Sequence, residues 1–263
     1  MGDSSARLGR VASAKSGMSS YRIALVSDIH GNLLALRRVL QDIRSIGVEQ
    51  IACLGDVATL GPHPHEVLAM VKEACDFFIL GNHDEYLFDA AAILEHSSSA
   101  PVLATVEQCR SQLSPGELDF IRGFKRKVSV PLPGAGSLLL FHGSPESNHR
   151  DLLAETPETE LSLSLSGHAG TVMAGGHTHI QMLRQHRGTL LVNPGSVGLP
   201  FERFVAGGPP SILAHAEYAI VEARGGDVSI QLRRVGLDRS LLAEAARSWD
   251  GPLSNYLAQQ YGA

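Results

Sequence analysis

The sequence predicts an α/β fold, and three observations predict it. Short apolar runs, rich in β-branched residues or leucine, recur along the chain. Segments with helical spacing separate the first three of them, and every run ends in a polar cluster. A chain of 263 residues with 44% hydrophobic and 19% charged residues can bury a full core as one domain with an appendage.

Taken in order, residues 1–20 are rich in Ser, Ala and Gly, lack any period and read as a flexible tail outside the fold. The strand candidates follow: RIALV before SDIHGN, QIACL before GD, DFFIL before GNHD, SLLLF before HGS, TVMAG before GHTH, and TLLV before NPGS. Helical spacing marks LLALRRVLQDIRSIG, HEVLAMVKEAC and a longer stretch from about Tyr86 to Lys127, within which Ser114 and Pro115 are placed to start a helix. This β, α, β, α, β order implies a sheet covered on both faces. HAEYAIVEARGGDVSIQLRRVG reads as a hairpin about Gly225-Gly226-Asp227, and DRSLLAEAARSWDGPLSNYLAQQYG as a terminal helix. The expected division is a main domain over 21–236, with a helical cover at about 86–127, and a helical segment over 237–263 packed on it.

Composition excludes several classes of function. No apolar run approaches the roughly 20 residues that span a bilayer, and the N-terminus lacks a signal-type apolar region, so the expected location is the cytoplasm. Cys53, Cys75 and Cys109 are odd in number and widely spaced, which argues for packing rather than disulfides or a thiolate metal site. A net charge of −5 does not provide the basic footprint for extended nucleic acid, although a metal could still hold a small anion. A homo-oligomer is compatible with the sequence.

Chemistry concentrates in the polar clusters, which fall at the carboxyl ends of the strands, where ligands gather in open α/β sheets. Asp28 and His30 are two residues apart, as are His177 and His179, so each pair leaving a strand can project to one side and grip a common ion. Asp56, Asn82 and His142 add a carboxylate, an amide oxygen and an imidazole from separate loops. Mixed N and O ligation without sulfur suits Mn, Fe, Zn, Co or Ni and is too rich in nitrogen for Mg or Ca. Seven such groups exceed what one ion takes. They fit two divalent ions about 3.5–4 Å apart, sharing a carboxylate and a bridging hydroxide, an arrangement that serves in-line displacement at phosphorus. Gly55, Gly81 and Gly176 stand where backbone must pass close to such ions.

The ordered set Ser27-Asp28-Ile29-His30-Gly31-Asn32, Gly55-Asp56, Gly81-Asn82-His83-Asp84, His142-Gly143, Gly176-His177-Thr178-His179 and Asn193-Pro194-Gly195-Ser196 resembles the calcineurin-like metallophosphoesterases, specifically the small bacterial and archaeal phosphodiesterase-like branch. The resemblance implies an α/β/α sandwich of two mixed sheets with flanking helices. It implies that Asp28, His30 and His179 hold one ion, that Asn82, His142 and His177 hold the other, and that Asp56 bridges them. A bridging hydroxide would attack the phosphate ester, with His83 as general acid and manganese as the leading metal. Asp84 and Asn193 are candidates to touch substrate or support ligands, and Arg203 is a candidate phosphate contact.

The pattern also departs from the phosphoprotein phosphatases of the superfamily. Leu60 and Leu80 stand where arginines would clamp phosphate, and Thr59 replaces the aspartate that pairs with the catalytic histidine. The expectation is therefore hydrolysis of a small phosphate ester with phosphodiester preferred. A phosphomonoesterase, which His83 keeps open, and a catalytically silent scaffold for protein binding are the alternatives. His63 and His65 read as solvated, and His96, His149, His168, His186 and His215 as structural.

Overall fold

Strands β1 (Tyr21–Val26), β2 (Gln50–Cys53) and β3 (Phe77–Phe78) run parallel, joined through helices α1 (Leu33–Ile46) and α2 (Pro64–Ala74). The computed structural model describes residues 20–89, 92–94 and 99–262. Residues 1–19 of the expected tail, and His96 within the expected helical cover, lie outside the described residues. The expected hairpin is present: β9 (His215–Arg224) pairs antiparallel with β10 (Asp227–Gly236) and with β1. Its two-residue link, Gly225-Gly226, has φ of 66° and 92°, the positive values that a tight hairpin turn needs. The first sheet is ordered β10-β9-β1-β2-β3.

A second sheet has the order β4-β5-β6-β8-β7, from β4 (Val128–Leu132), β5 (Gly136–Leu140), β6 (Val172–Ala174), β7 (Met182–His186) and β8 (Thr189–Asn193). Its middle strands β5, β6 and β8 are parallel, and the edges β4 and β7 are antiparallel. The sequence marked the middle strands but not the edges. Pro131 is tolerated in β4 because an edge strand leaves one row of N–H groups unpaired, and MLRQH in β7 carries too few apolar residues to stand out.

Period-two alternation sorts β1 between two cores. Ile23 and Leu25 pack against Leu138, Leu140, Val172, Ala174 and Val192 between the sheets, while Ala24 and Val26 join Leu36, Val39 and Leu40 of α1 on the outer face. On the far side, Leu139, Met173 and Leu191 meet Leu161 and Leu165 around α6 (Glu158–Ser164). The result is a layered α/β/α sandwich of two mixed sheets, as the sequence implied.

Two helical readings change in detail. The stretch after β3 begins at Asn82, not near Tyr86: α3 (Asn82–Tyr86) is followed by α4 (Ala100–Gln112) and α5 (Pro115–Arg122). Ser114 caps α5 through a reciprocal bond with Glu117, as its position suggested. The terminal helix is two helices, α7 (Arg239–Ser248) and α8 (Ser254–Gly262), because Gly251-Pro252 interrupts the run. Leu242, Ala246, Leu257 and Tyr261 from this pair pack on Leu60, Leu199 and Ile212. No helix among the described residues is long and apolar enough to cross a membrane.

Candidate metal centre

The parallel strands of both sheets end on the same side, and the loops leaving them turn sharply. Asp28, His30, Asp56, His177 and His179 have φ of 54°, 47°, 58°, 69° and 59°, a left-handed conformation that costs a side-chain-bearing residue roughly 1–2 kcal/mol. Backbone bonds hold the strain: Asp28 N donates to Gly55 O and His30 N to Asp56 O, both at 3.0 Å, while Gly198 N donates to Asp28 O at 3.0 Å. Two glycines make room for the acids. A Cβ on Gly81 would stand 2.0 Å from Asp56 Oδ1, and one on Gly176 would stand 2.0 Å from Ser27 Oγ and 2.6 Å from Asp28 Oδ2.

These turns bring all seven sequence-predicted ligands together. His30 Nε2 and His179 Nε2 face each other at 3.1 Å, and His179 Nε2 is 3.3 Å from Asp28 Oδ1. His142 Nε2 lies 3.0 Å from Asn82 Oδ1, 3.5 Å from Asp56 Oδ2 and 3.9 Å from Asp28 Oδ1. His177 Nδ1 reaches the same Asn82 Oδ1 at 3.0 Å. Asp28, His30 and His179 form one cluster whose ligand atoms lie within 4.8 Å of one another; Asp28, Asp56 and His142 form a second.

The donor set fits divalent cations. Asp28 Oδ1 is buried and accepts no hydrogen bond, which is costly for a carboxylate oxygen unless a cation compensates it. Two imidazoles have their tautomers set by backbone: His142 Nδ1–H donates to Leu54 O at 2.6 Å and His179 Nδ1–H to Leu199 O at 2.7 Å, leaving each Nε2 to face the cluster. Burial pulls His30 and His177 down to about 3, so both rings are neutral at pH 7. Burial also opposes protonation of His142, but the Asp56 carboxylate outweighs it and lifts His142 to about 9. Burial acts to raise both carboxyls, yet His179 holds Asp28 below the usual carboxylate range and His142 holds Asp56 well below it.

Other predicted residues surround this cluster. His83 gives its backbone N–H to Asp56 Oδ1 at 2.8 Å, and its ring lies edge-on to His30 with centroids 5.1 Å apart; burial pulls it below the usual imidazole value. Asp84 accepts the N–H groups of Asp56, Val57 and Gly81 at 2.7, 3.0 and 3.0 Å, so it fixes the backbone that presents Asp56 and Asn82. Asn193 donates to Gly176 O at 2.6 Å and Thr178 Oγ1 at 3.0 Å, bracketing His177. Arg203 is exposed and makes no hydrogen bond or ion pair with the cluster among the described residues.

His65 is exposed beside Glu117 at 2.8 Å, and half-buried His63 is 3.8 Å from Glu66. His168, His186 and His215 pair with Glu146, Glu158 and Glu217, which suits their structural reading.

The sequence did not single out Tyr86, Asp151 or Phe201, and it read His149 as structural. Asn82 Nδ2 donates to Tyr86 Oη at 3.3 Å, and His177 Nε2 is 3.4 Å from Asp151 Oδ1. The Phe201 ring stacks on His179 with centroids 4.2 Å apart. Only Tyr86 had a usable signal, its four-residue spacing from Asn82, which pairs the two once α3 is seen to begin at Asn82 rather than near Tyr86.

Known proteins share this architecture. A family model described as the calcineurin-like phosphoesterase superfamily domain matches residues 21–213. An uncharacterized protein from Methanocaldococcus jannaschii is 24% identical over 231 residues, covering 84% of this chain and 90% of its own. The crystal structure of a metallophosphoesterase from Sphaerobacter thermophilus aligns with a TM-score of 0.72 at 23% identity, covering 93% of this chain and 99% of that one. That of a hypothetical protein from Pyrococcus horikoshii OT3 aligns with a TM-score of 0.74 at 17% identity, covering 91% and 96%.

Proposed function

The chain belongs to the calcineurin-like phosphoesterase superfamily, and from that premise we propose that it hydrolyses phosphate esters with two divalent metal ions, preferring phosphodiesters. The observation that carries this reading is the place of Asp56: its Oδ2 lies 3.7 Å from His30 Nε2 and 3.5 Å from His142 Nε2, between the two groups of imidazoles. Asp28, His30 and His179 would hold one ion, Asn82, His142 and His177 the other, and Asp56 both. When bound, such ions would acidify water for attack at phosphorus and offset charge gathering on the phosphoryl oxygens. Manganese is the proposed metal, with Fe, Zn, Co or Ni as substitutes that the same ligands accept.

The protein supplies the rest. Asp84 and the Asp56–His83 bond hold the loop that carries Asn82 and His83, and the His83 imidazole in its protonated form, which burial disfavours, would give a proton to the leaving oxygen. Preference for a diester is supported by what replaces the phosphate clamp: Leu60 and Leu80 are buried apolar side chains, so no guanidinium stands at those positions to hold a dianionic monoester. Monoester hydrolysis is the second reading, and the presence of His83 favours it.

The test is turnover of bis-p-nitrophenyl phosphate and of p-nitrophenyl phosphate by manganese-loaded protein, with Asp56→Asn as control. Diester turnover that collapses in the variant supports the proposal. Faster monoester turnover transfers the reading to a phosphatase, and turnover of neither with metal bound points to the scaffold.

A further inference from the structure

Asn82 and Tyr86 stand at i and i+4 of α3 and therefore on one face of it. The Asn82 amide is held at both ends. Its Nδ2 donates to Tyr86 Oη at 3.3 Å, and its Oδ1 lies 3.0 Å from both His142 Nε2 and His177 Nδ1. Tyr86 Oη is also 3.3 Å from His149 Nδ1. Since the hydroxyl accepts from the amide, its own proton can go to His149, which gives the chain one direction: Asn82 N–H to Tyr86, Tyr86 O–H to His149. Reversing the amide would point N–H groups at the cluster and remove a cation ligand.

The loop that brings His149 also brings Asp151. Asp151 Oδ1 is 3.4 Å from His177 Nε2, on the side of the ring opposite Asn82. A carboxylate facing Nε2 favours the tautomer that carries its hydrogen there, which leaves the Nδ1 lone pair directed inward, the manner in which outer carboxylates orient ligating histidines. The rings pack in sequence as well: Tyr86 and His149 are 5.6 Å apart between centroids, and His149 and His177 are 6.4 Å apart. Tyr86 is only 3% exposed, so its hydroxyl is confined to these neighbours.

We infer that Tyr86, backed by His149, is a positioning residue that fixes the amide of Asn82, and that Asp151 does the same for the imidazole of His177, so that the loop after β5 sets the affinity of one of the two metal positions. The inference rests on the two-ion reading above. It concerns residues that touch ligands, and it separates the two positions because none of these contacts reaches Asp28, His30 or His179.

The experiment is calorimetric titration of Mn²⁺ into metal-stripped full-length protein, comparing wild type, Tyr86→Phe and Asp151→Asn, with the electron paramagnetic resonance of bound Mn²⁺ read alongside. Wild type is expected to take up two ions with a spin-coupled signal. Tyr86→Phe keeps the ring and is expected to bind one ion as wild type does and the other about 10–100-fold more weakly, leaving an uncoupled signal at one equivalent. Asp151→Asn, at an exposed position, is expected to act in the same direction and provides the test should Tyr86→Phe not fold. Unchanged uptake of the second ion in these variants would overturn the inference, and so would equal weakening of both ions. Uptake of fewer than two ions by wild type would instead remove the two-ion reading, and the inference with it.

Discussion

His30 Nε2 and His179 Nε2 stand 3.1 Å apart, presented by loops from different sheets, with ring centroids separated by 4.9 Å. At most one hydrogen can lie between two such nitrogens, and His30 is neutral at pH 7. The pair is better satisfied by a cation that takes both lone pairs. His179→Ala is therefore expected to lose one metal equivalent and to lower turnover by at least about 100-fold, the upper range already seen when outer partners of metal ligands are removed. Metal analysis of the purified variant together with its kcat checks this.

Gly176 is expected to tolerate no side chain. Its Cβ would collide with Ser27 Oγ and crowd Asp28 Oδ2, so Gly176→Ala should cost about 1–3 kcal/mol and weaken metal uptake. Gly116, at the start of α5 with nothing within 4 Å of its notional Cβ, is the control: Gly116→Ala should stabilise by about 0.4–1 kcal/mol or leave stability unchanged. Urea midpoints of both variants without metal decide the matter.

Metal removal should lower stability through mass action. Free metal at about 100 times its Kd adds about 2.7 kcal/mol for each site that only the folded state offers. Chelation should therefore lower Tm, and the drop should shrink in His179→Ala. An equal chelator effect in both proteins would mean that His179 holds no ion.

Acid should weaken a contact far from the centre. Tyr218 donates to Asp42 Oδ2 at 2.5 Å and Arg233 Nη2 donates to it at 3.0 Å; the Tyr218 bond first, then Arg233, holds Asp42 below the usual carboxylate value. A folded value below the unfolded one means that the unfolded chain binds the proton more readily, so this stabilisation is present above about pH 4 and fades as pH falls through the folded value. Asp42→Asn should thus be less stable than wild type at pH 7, with the gap closing below about pH 4. Urea denaturation at pH 7, 4 and 3 reads it.

Much of the candidate centre was legible because its candidate ligands come in tight sequence patterns after strands: Asp28 with His30, and His177 with His179. Their convergence also required both sheets to end on one side, which the β, α, β order and the apolar middle strands made visible. Legibility failed where residues act through space. Asp151 and His149 lie in a loop with no period, and Phe201 reaches His179 from 22 residues downstream. Edge strands β4 and β7 escaped because half-exposed strands need no continuous apolar run. The break between α7 and α8 is written in Gly251-Pro252, a signal that the helical spacing on either side masks.

The central claim is that two divalent ions share Asp56. The most direct measurement is anomalous diffraction at the manganese edge from crystals grown with Mn²⁺. The account predicts two peaks about 3.5–4 Å apart, one contacting Asp28, His30 and His179, the other Asn82, His142 and His177, with Asp56 touching both. A single peak, or two peaks with Asp56 bound to only one of them, would contradict it.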